Sequence, residues 1–451
     1  VERSRWLGDV YKRQVTVTVS KWSHPFHRAR IREIANGVLF EATGDSLYSC
    51  NLISESDPTN QSIPTCECTL TYPDPQGMFD PANPAGVASA VRSDQIMTVW
   101  IGVSDGQHKP VYAKVGTYYC PKATSKGGTG ELHAVDILGK LQGAAKPNAR
   151  SLDHLHNQSL ADFVLGLGAS PWIPATDFTG SAPTAFDKGT NRLECLRHVS
   201  QYLHKLLYVD ADGNARLTAM SRTPVAVIPL DQSYEHPSIE AREELGGIDY
   251  TWHRYEDTGE EILAATAAIQ TAKGVPATYT AITEEPVAYT RCEVEHPYAS
   301  DFVVTLVSAT SYAIRITVRT DAVFTDPDEY NVTVRLYGKK IEDQTGSGTS
   351  EKDSVINKEQ NRMSVDNPIP VGILDRLTWG MYLRRTYGKA DITCNWRGDA
   401  SLQVGDPVTV EGKYGPLNGV IIKQEIDYDG ALTMRTTVRQ PDWMINLGGE
   451  G

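Results

Sequence analysis

A mainly β, multidomain protein with α+β parts is the architecture this sequence predicts, and three observations predict it. Tyrosine (21) far outnumbers phenylalanine (8), and valine and threonine recur throughout, all but phenylalanine in abundance and all suited to a half-buried pleated surface. Short stretches alternating with period two are separated by turn-forming clusters, for which the chain has 25 prolines and 37 glycines. A few stretches with helical spacing interrupt that pattern. The 451 residues have room for roughly two to four domains of ~100–200 residues.

Taken in order, residues 1–14 read VERSRWLGDVYKRQ and do not begin with Met. The stretch LGDVYKRQ looks like a translated sequencing adapter of the kind left on assembled metagenomic genes, and it is expected to stand outside the fold; the other reading is a basic N-terminal arm. Residues 15–148 read as strand and turn: Val15 to Ser20 alternates Val and Thr, Cys66 to Tyr72 alternates up to Pro73-Asp74-Pro75, and Ile96 to Val103 stops at Asp105-Gly106. This regular spacing predicts a barrel or a sandwich. Residues 149–224 form an α+β unit. Leu152, Leu155, Leu160, Phe163, Val164 and Leu167 predict a helix capped by Ser151. Leu193, Leu196, Val199, Leu203 and Leu206 predict a second, running into a hairpin around Asp212-Gly213. Residues 225–286 are a β-rich return and connector. Residues 287–342 read as a small inserted β-sandwich, with strands at 302–308, 313–319 and 330–337. Residues 343–356, carrying Gly346-Ser347-Gly348-Thr349-Ser350, are expected to be a polar linker. Residues 357–441 supply a helix through Ile373, Leu377 and Met381, then strands at 390–396, 407–411, 419–427 and 432–438; 442–451 is a tail.

The composition narrows the classes of function. Apolar residues at 40% and charged residues at 22% place the chain among globular proteins, away from disordered ones. A formal net charge of −13 argues against tight binding to nucleic-acid phosphates, which requires clustered Lys and Arg. No run of ~20 apolar residues predicts a membrane-spanning helix. The seven cysteines are scattered, and only Cys66 and Cys68 are close, so the spacing fits neither a disulfide framework nor a four-ligand zinc site.

Each chemical motif has a simpler reading beside it. Asp210-Ala211-Asp212-Gly213-Asn214 puts Gly at position four of a would-be calcium loop and Ser221 at position twelve, whereas an EF-type loop needs Gly at six and Glu at twelve; an Asp-Gly hairpin turn explains it. His154 and His156, two apart on the expected helix, diverge. Cys195 and His198 could share a helix face, but no second ligand pair stands at suitable spacing. Glu243-Glu244, Glu260-Glu261 and Glu284-Glu285 supply carboxylates, but a glycosidase needs two across a cleft, ~5–9 Å apart, and adjacent glutamates in a polar context read as a solvated face. Gly166-Leu167-Gly168 follows a helical stretch and so is not a dinucleotide loop. Arg397-Gly398-Asp399 reads as a strand-connecting turn. Tyrosines between Tyr289 and Tyr337 fit either sheet packing or sugar stacking. No catalytic, cofactor or metal residue is assigned.

Three stretches together resemble the baseplate hub, or tail-tip, family of long-tailed bacteriophages and prophages. They are SLYSCNLISESDPTNQSIPTCECTLTYPDPQGMFDPANPAG from Ser46, followed by the strands at 96–103 and 115–119; NRLECLRHVSQYLHKLLYVDADGNARL from Asn191; and Asp366-Asn367-Pro368-Ile369 with its helix, CNWRGDASLQVGDPVTVEGKYG and the strands up to Arg439. The resemblance covers most of 46–439, except the 287–340 module. It implies two barrel-like β domains plus helix-hairpin α+β domains. It further implies a homotrimeric ring closing the tail tube, with the distal tail protein, the tape-measure protein and a spike, fibre or lysin as partners. DNA would pass an acidic lumen without specific binding, and the protein would be made in the host cytoplasm and reside in the virion. No enzymatic activity or cofactor is implied. The competing expectations are a tail-associated cell-wall hydrolase and a carbohydrate-binding adhesin acting through 287–342.

Overall fold

The computed structural model describes residues 12–20, 38–43, 47–77, 80, 82–85, 96–104, 111–142, 147–169, 174–351, 359 and 361–442. Most of the segment expected to be an adapter artefact, 1–11, and most of the tail, 443–451, lie outside the described residues. A strand, Lys12–Ser20, begins inside the former.

Strands dominate, and the largest sheet has thirteen. Its path runs Ser238–Ala241, Ala390–Trp396, Leu432–Gln440, Gly415–Tyr428, Ser49–Glu55, Glu67–Pro73, Thr129–Val135, Val111–Lys126, Ile96–Ser104, Lys12–Ser20 and Val38–Thr43. Pro407–Gly412 pairs with Gly415–Tyr428 and, in parallel, with Ala226–Ile228. The alternating pattern produces this directly. Cys68, Leu70 and Tyr72 point inward from one strand and Ile392, Cys394 and Trp396 from another, with polar neighbours outward. Their side chains form one core with Leu52, Val99, Leu132, Val408, Ile421 and Val438. The Trp396 indole donates to Thr436 Oγ1 at 3.0 Å, so its buried N–H is satisfied.

Among the described residues the strands expected of two barrel-like domains share one sheet, and no sheet closes. The join is the pairing of Gly415–Tyr428 with Ser49–Glu55, in register from Lys423↔Glu55 to Tyr428↔Cys50. N-terminal and C-terminal strands thereby share a single hydrogen-bonded layer.

A helical layer packs on this sheet. It contains Ile137–Gln142, Leu160–Val164 and Arg192–Leu203, with the hairpin Leu206–Val209/Ala215–Thr218. Leu138, Leu160, Phe163, Phe178, Phe186, Leu196, Val199 and Leu217 fill its core. The Asp-Pro-rich segment after Ser49–Glu55 ties the layers together. Ser56 Oγ donates to the Leu207 carbonyl at 2.8 Å, and Asn60 Nδ2 to that of Lys205 at 2.7 Å. Asp136, fully buried, accepts from Cys66 N and Gly139 N at the start of Ile137–Gln142, while burial raises its pKa to about 6.

The first expected helix is shorter than its leucine spacing suggested. Asp153–Ser159 is a strand. The Asp153 carboxylate accepts the backbone N–H groups of Leu155 and His156 at 3.0 and 3.1 Å, which competes with helical hydrogen bonding. The helix starts only after Ser159, whose hydroxyl caps Asp162 N in place of Ser151.

A second β unit rises from Gly247–Gln270 and Asn331–Glu351, two long antiparallel strands. Val287–Glu295 and Arg362–Asp366 flank them, and a three-stranded sheet of Ala277–Ile282, Ala313–Thr320 and Phe302–Ala309 packs opposite. Ile314, Ile316, Val318, Val332, Val334 and Leu336 form the core, together with Ala267, Ile269 and Ala281, which lie upstream of the boundary expected at 287. The segment 343–351, expected to be linker, is strand. Its Gly-x-Gly repeat is strand chemistry: Trp252 and Tyr250 stand opposite Gly346 and Gly348, and their rings occupy the space that a Cβ would need.

Candidate functional site

The residues singled out in the sequence do not converge. His154 is 5% exposed, whereas the His156 side chain is 75% exposed and leans on Asp153; an irregular register in their strand separates the two environments. Cys195 and His198 are core residues of Arg192–Leu203, and burial raises the thiol pKa of Cys195 to about 12. Among the described residues no group of three His, Cys, Asp or Glu has metal-ligand placement. None of the six cysteines described is in a disulfide. Asp210 Oδ1 accepts Asn214 N at 2.9 Å, closing a hairpin turn at Gly213. Asp399 accepts from Ser401, so Arg397-Gly398-Asp399 is a turn. Glu261, Glu284 and Glu285 face Arg291, Lys188 and Lys340 respectively, as solvated ion pairs.

The structure instead assembles a cleft from residues that no local spacing connects. It has a volume of about 380 Å³ and lies where the helical layer meets the second β unit and the Asp366-Asn367-Pro368 turn. His253, on Gly247–Gln270, bridges two carboxylates: Nδ1 is 2.7 Å from Asp343 Oδ2, and Nε2 is 2.7 Å from Asp366 Oδ1. Burial pulls its pKa down, but the hydrogen bonds to Asp366 and Asp343 outweigh that and raise it above the usual histidine value. The imidazolium can donate from both nitrogens at once. Tyr255 donates to the Pro368 carbonyl at 3.1 Å, and burial raises its pKa, keeping the hydroxyl protonated.

Asn367 fixes the turn. Its Nδ2 donates to the His198 carbonyl at 2.9 Å, and its Oδ1 accepts Ile369 N at 3.0 Å. His198 Nε2 accepts from Arg197 at 3.0 Å. Burial, then the Arg197 charge, lowers the His198 pKa to about 3, so the ring is neutral. His154 packs edge-on to Tyr255 and Tyr312, with centroids at 4.7 and 5.7 Å. Burial lowers its pKa as well. His253, Asp343 and Asp366 were invisible to sequence reasoning because they are neighbours only through the pairing of three separate strands.

No family model matches the sequence, and no curated protein does. Solved structures do match. The 43 kDa tail protein of prophage MuSo2 from Shewanella oneidensis has a TM-score of 0.50 at 10% identity, covering 96% of this chain and 99% of that one. The chain has the fold of a prophage tail protein. The tail protein from Neisseria meningitidis MC58 is similar at a TM-score of 0.48 and 11% identity, covering 95% and 96% of the two chains. Prophage tail protein gp18 from Listeria monocytogenes EGD-e is similar at 0.41 and 7%, covering 94% of each. The shared fold with the MuSo2 tail protein is in keeping with the family resemblance read from the ordered motifs.

Proposed function

We propose that this chain is a structural hub subunit of a phage tail tip, which forms a homotrimeric ring closing the tail tube and anchors spike, fibre or lysin components. The observation that carries the reading is the shared fold along 96% of this chain and 99% of the MuSo2 tail protein. The open sheet supports it. Among the described residues Ser238–Ala241 and Val38–Thr43 terminate the thirteen-stranded path, and sheet edges left unpaired invite uncontrolled association unless covered. Cyclic symmetry covers such edges and limits growth. In this reading the subunit resides in the virion, contacts the distal tail and tape-measure proteins, lets DNA pass without specific binding and has no catalytic residue. Light scattering of the full chain is expected to give three times the 49.5 kDa chain mass, with rings in micrographs. A monomer at every concentration, without rings, would sink the reading.

A second reading, glycan adhesion through 287–342, has one observation in its favour. Tyr298, Phe324 and Phe302 stack at one end of that unit, and Tyr298 is 48% exposed. Glycan-array binding that disappears in Tyr298→Ala supports it; an unchanged array rejects it.

A further inference from the structure

The cleft around His253 presents four carboxylates, Asp187, Glu194, Asp343 and Asp366. The cations facing them are few. Arg197 is engaged with Glu194 at 3.7 Å and with His198, and His253 is held by Asp343 and Asp366. Lys188, beside Asp187, turns its ammonium to the Thr283 carbonyl at 2.6 Å and to Glu284. An anionic ligand would meet this carboxylate lining at a direct cost.

A second observation points to an occupant. His154 lines the cleft, is 95% buried by its 5% exposure, and leaves Nδ1 without a hydrogen-bond partner among the described residues. A buried polar group left in that state is destabilising until something pairs with it. The carboxylates of Asp187 and Asp343 lie close enough to act on its ring. The walls also include the faces and edges of Phe186 and Tyr255, which suit alkyl chains and cations. The space, about 380 Å³, far exceeds one metal ion and fits a chain of several methylenes. The residues are also not grouped as metal ligands among those described.

We propose that this cleft binds a linear polyamine, its ammonium groups taken by Asp187, Glu194 and the Asp343–Asp366 pair, with the buried His154 ring at its floor. The proposal goes beyond the tail-tip reading and does not depend on it.

The test is calorimetric titration of the full chain with spermidine at low ionic strength, using magnesium chloride and n-butylammonium at matched ionic strength as comparators. Saturable binding near one site per chain is expected. The double variant Asp187→Asn/Glu194→Gln should weaken it by about tenfold or more. Both changes are near-isosteric on exposed side chains, so folding is expected to survive, and circular dichroism checks it. A second variant, Glu260→Gln, removes an exposed carboxylate elsewhere and should leave affinity unchanged. Four outcomes overturn the proposal: no saturable heat, equal loss in Glu260→Gln, magnesium competing as well as spermidine, or butylammonium binding as tightly as spermidine.

Discussion

Asp391 offers the sharpest test of how the large sheet is held at its C-terminal end. Its carboxylate receives a bidentate pair from Arg439, at 2.8 and 2.9 Å, and a third contact from Arg242 at 3.0 Å. These residues come from Ala390–Trp396, Leu432–Gln440 and the end of Ser238–Ala241, so one carboxylate clamps three neighbouring strands. The side chains are 21%, 11% and 23% exposed. Breaking a fully buried pair costs about 3–5 kcal/mol, because a charge is left without its partner. The residual exposure here moves the expectation for Asp391→Ala to the lower end, about 3 kcal/mol. For a cooperative unit of about 150–250 residues that lowers the melting temperature by roughly 6–12 °C. Calorimetry and circular dichroism should both show it. Replacing the pair together, Asp391→Leu with Arg439→Met, should recover part of the loss, since the apolar pair needs no charge compensation and Arg242, 23% exposed, still has solvent and the Tyr387 ring for its charge. If Asp391→Ala costs under about 1 kcal/mol, or if the double variant is as unstable as the sum of its parts, the clamp argument is wrong. The pH behaviour adds a sign. Burial works to raise the Asp391 pKa, but Arg439 and Arg242 outweigh it and hold it below the ordinary value. Its stabilisation is therefore present above the unfolded value of about 3.9 and is lost as acid takes the pH down through the folded one.

Three further outcomes are expected. Asp136 has its pKa raised by burial to about 6, so its contribution falls as the pH rises from its unfolded value toward 6; a pH series of denaturant midpoints for Asp136→Asn should lack this slope, worth about 3 kcal/mol, and identical slopes would refute the assignment. His253 behaves in the opposite range: its pKa is raised, so the stabilisation is complete below about 6.5 and is lost as the pH rises through the folded value, and the melting difference between wild type and His253→Gln should shrink in alkali. Leu70→Ala, at a position with no exposure at the centre of the large sheet, should cost about 2–5 kcal/mol in urea unfolding; a cost below about 1 kcal/mol would show that the core there is not close-packed.

Much of the fold was legible because strand burial has a local signature. The alternation at Cys68, Leu70 and Tyr72, or at Ile392, Cys394 and Trp396, names the inward face without reference to any partner. The helix at Arg192–Leu203 was legible through its leucine spacing, although Leu206, expected on it, opens the hairpin strand, and its cap Asn191, whose side chain accepts Glu194 N at 2.7 Å, went unread. The reading failed where side chains act on the backbone at short range: Asp153 captured two amides and converted helical spacing into strand. It failed again at Gly346 and Gly348, whose partners Trp252 and Tyr250 lie almost a hundred residues away. The cleft was illegible for the same reason. His253 gains its meaning from Asp343 and Asp366, and only the pairing of Gly247–Gln270 with its two neighbours brings these together.

The pairing of Ser49–Glu55 with Gly415–Tyr428 has a kinetic consequence. A chain emerging from the ribosome presents the first of these strands early and the second several hundred residues later. Until then the Ser49–Glu55 edge is unpaired and the face bearing Cys50 and Leu52 is only half covered. Contacts this distant in sequence slow folding, and exposed strand edges in partly made chains favour aggregation. Completion of the large sheet is therefore a late event of synthesis. Nascent chains stopped before Gly415 should remain protease-sensitive around Ser49–Glu55, while the Gly247–Gln270/Asn331–Glu351 unit, whose strands are all already made, should be protected.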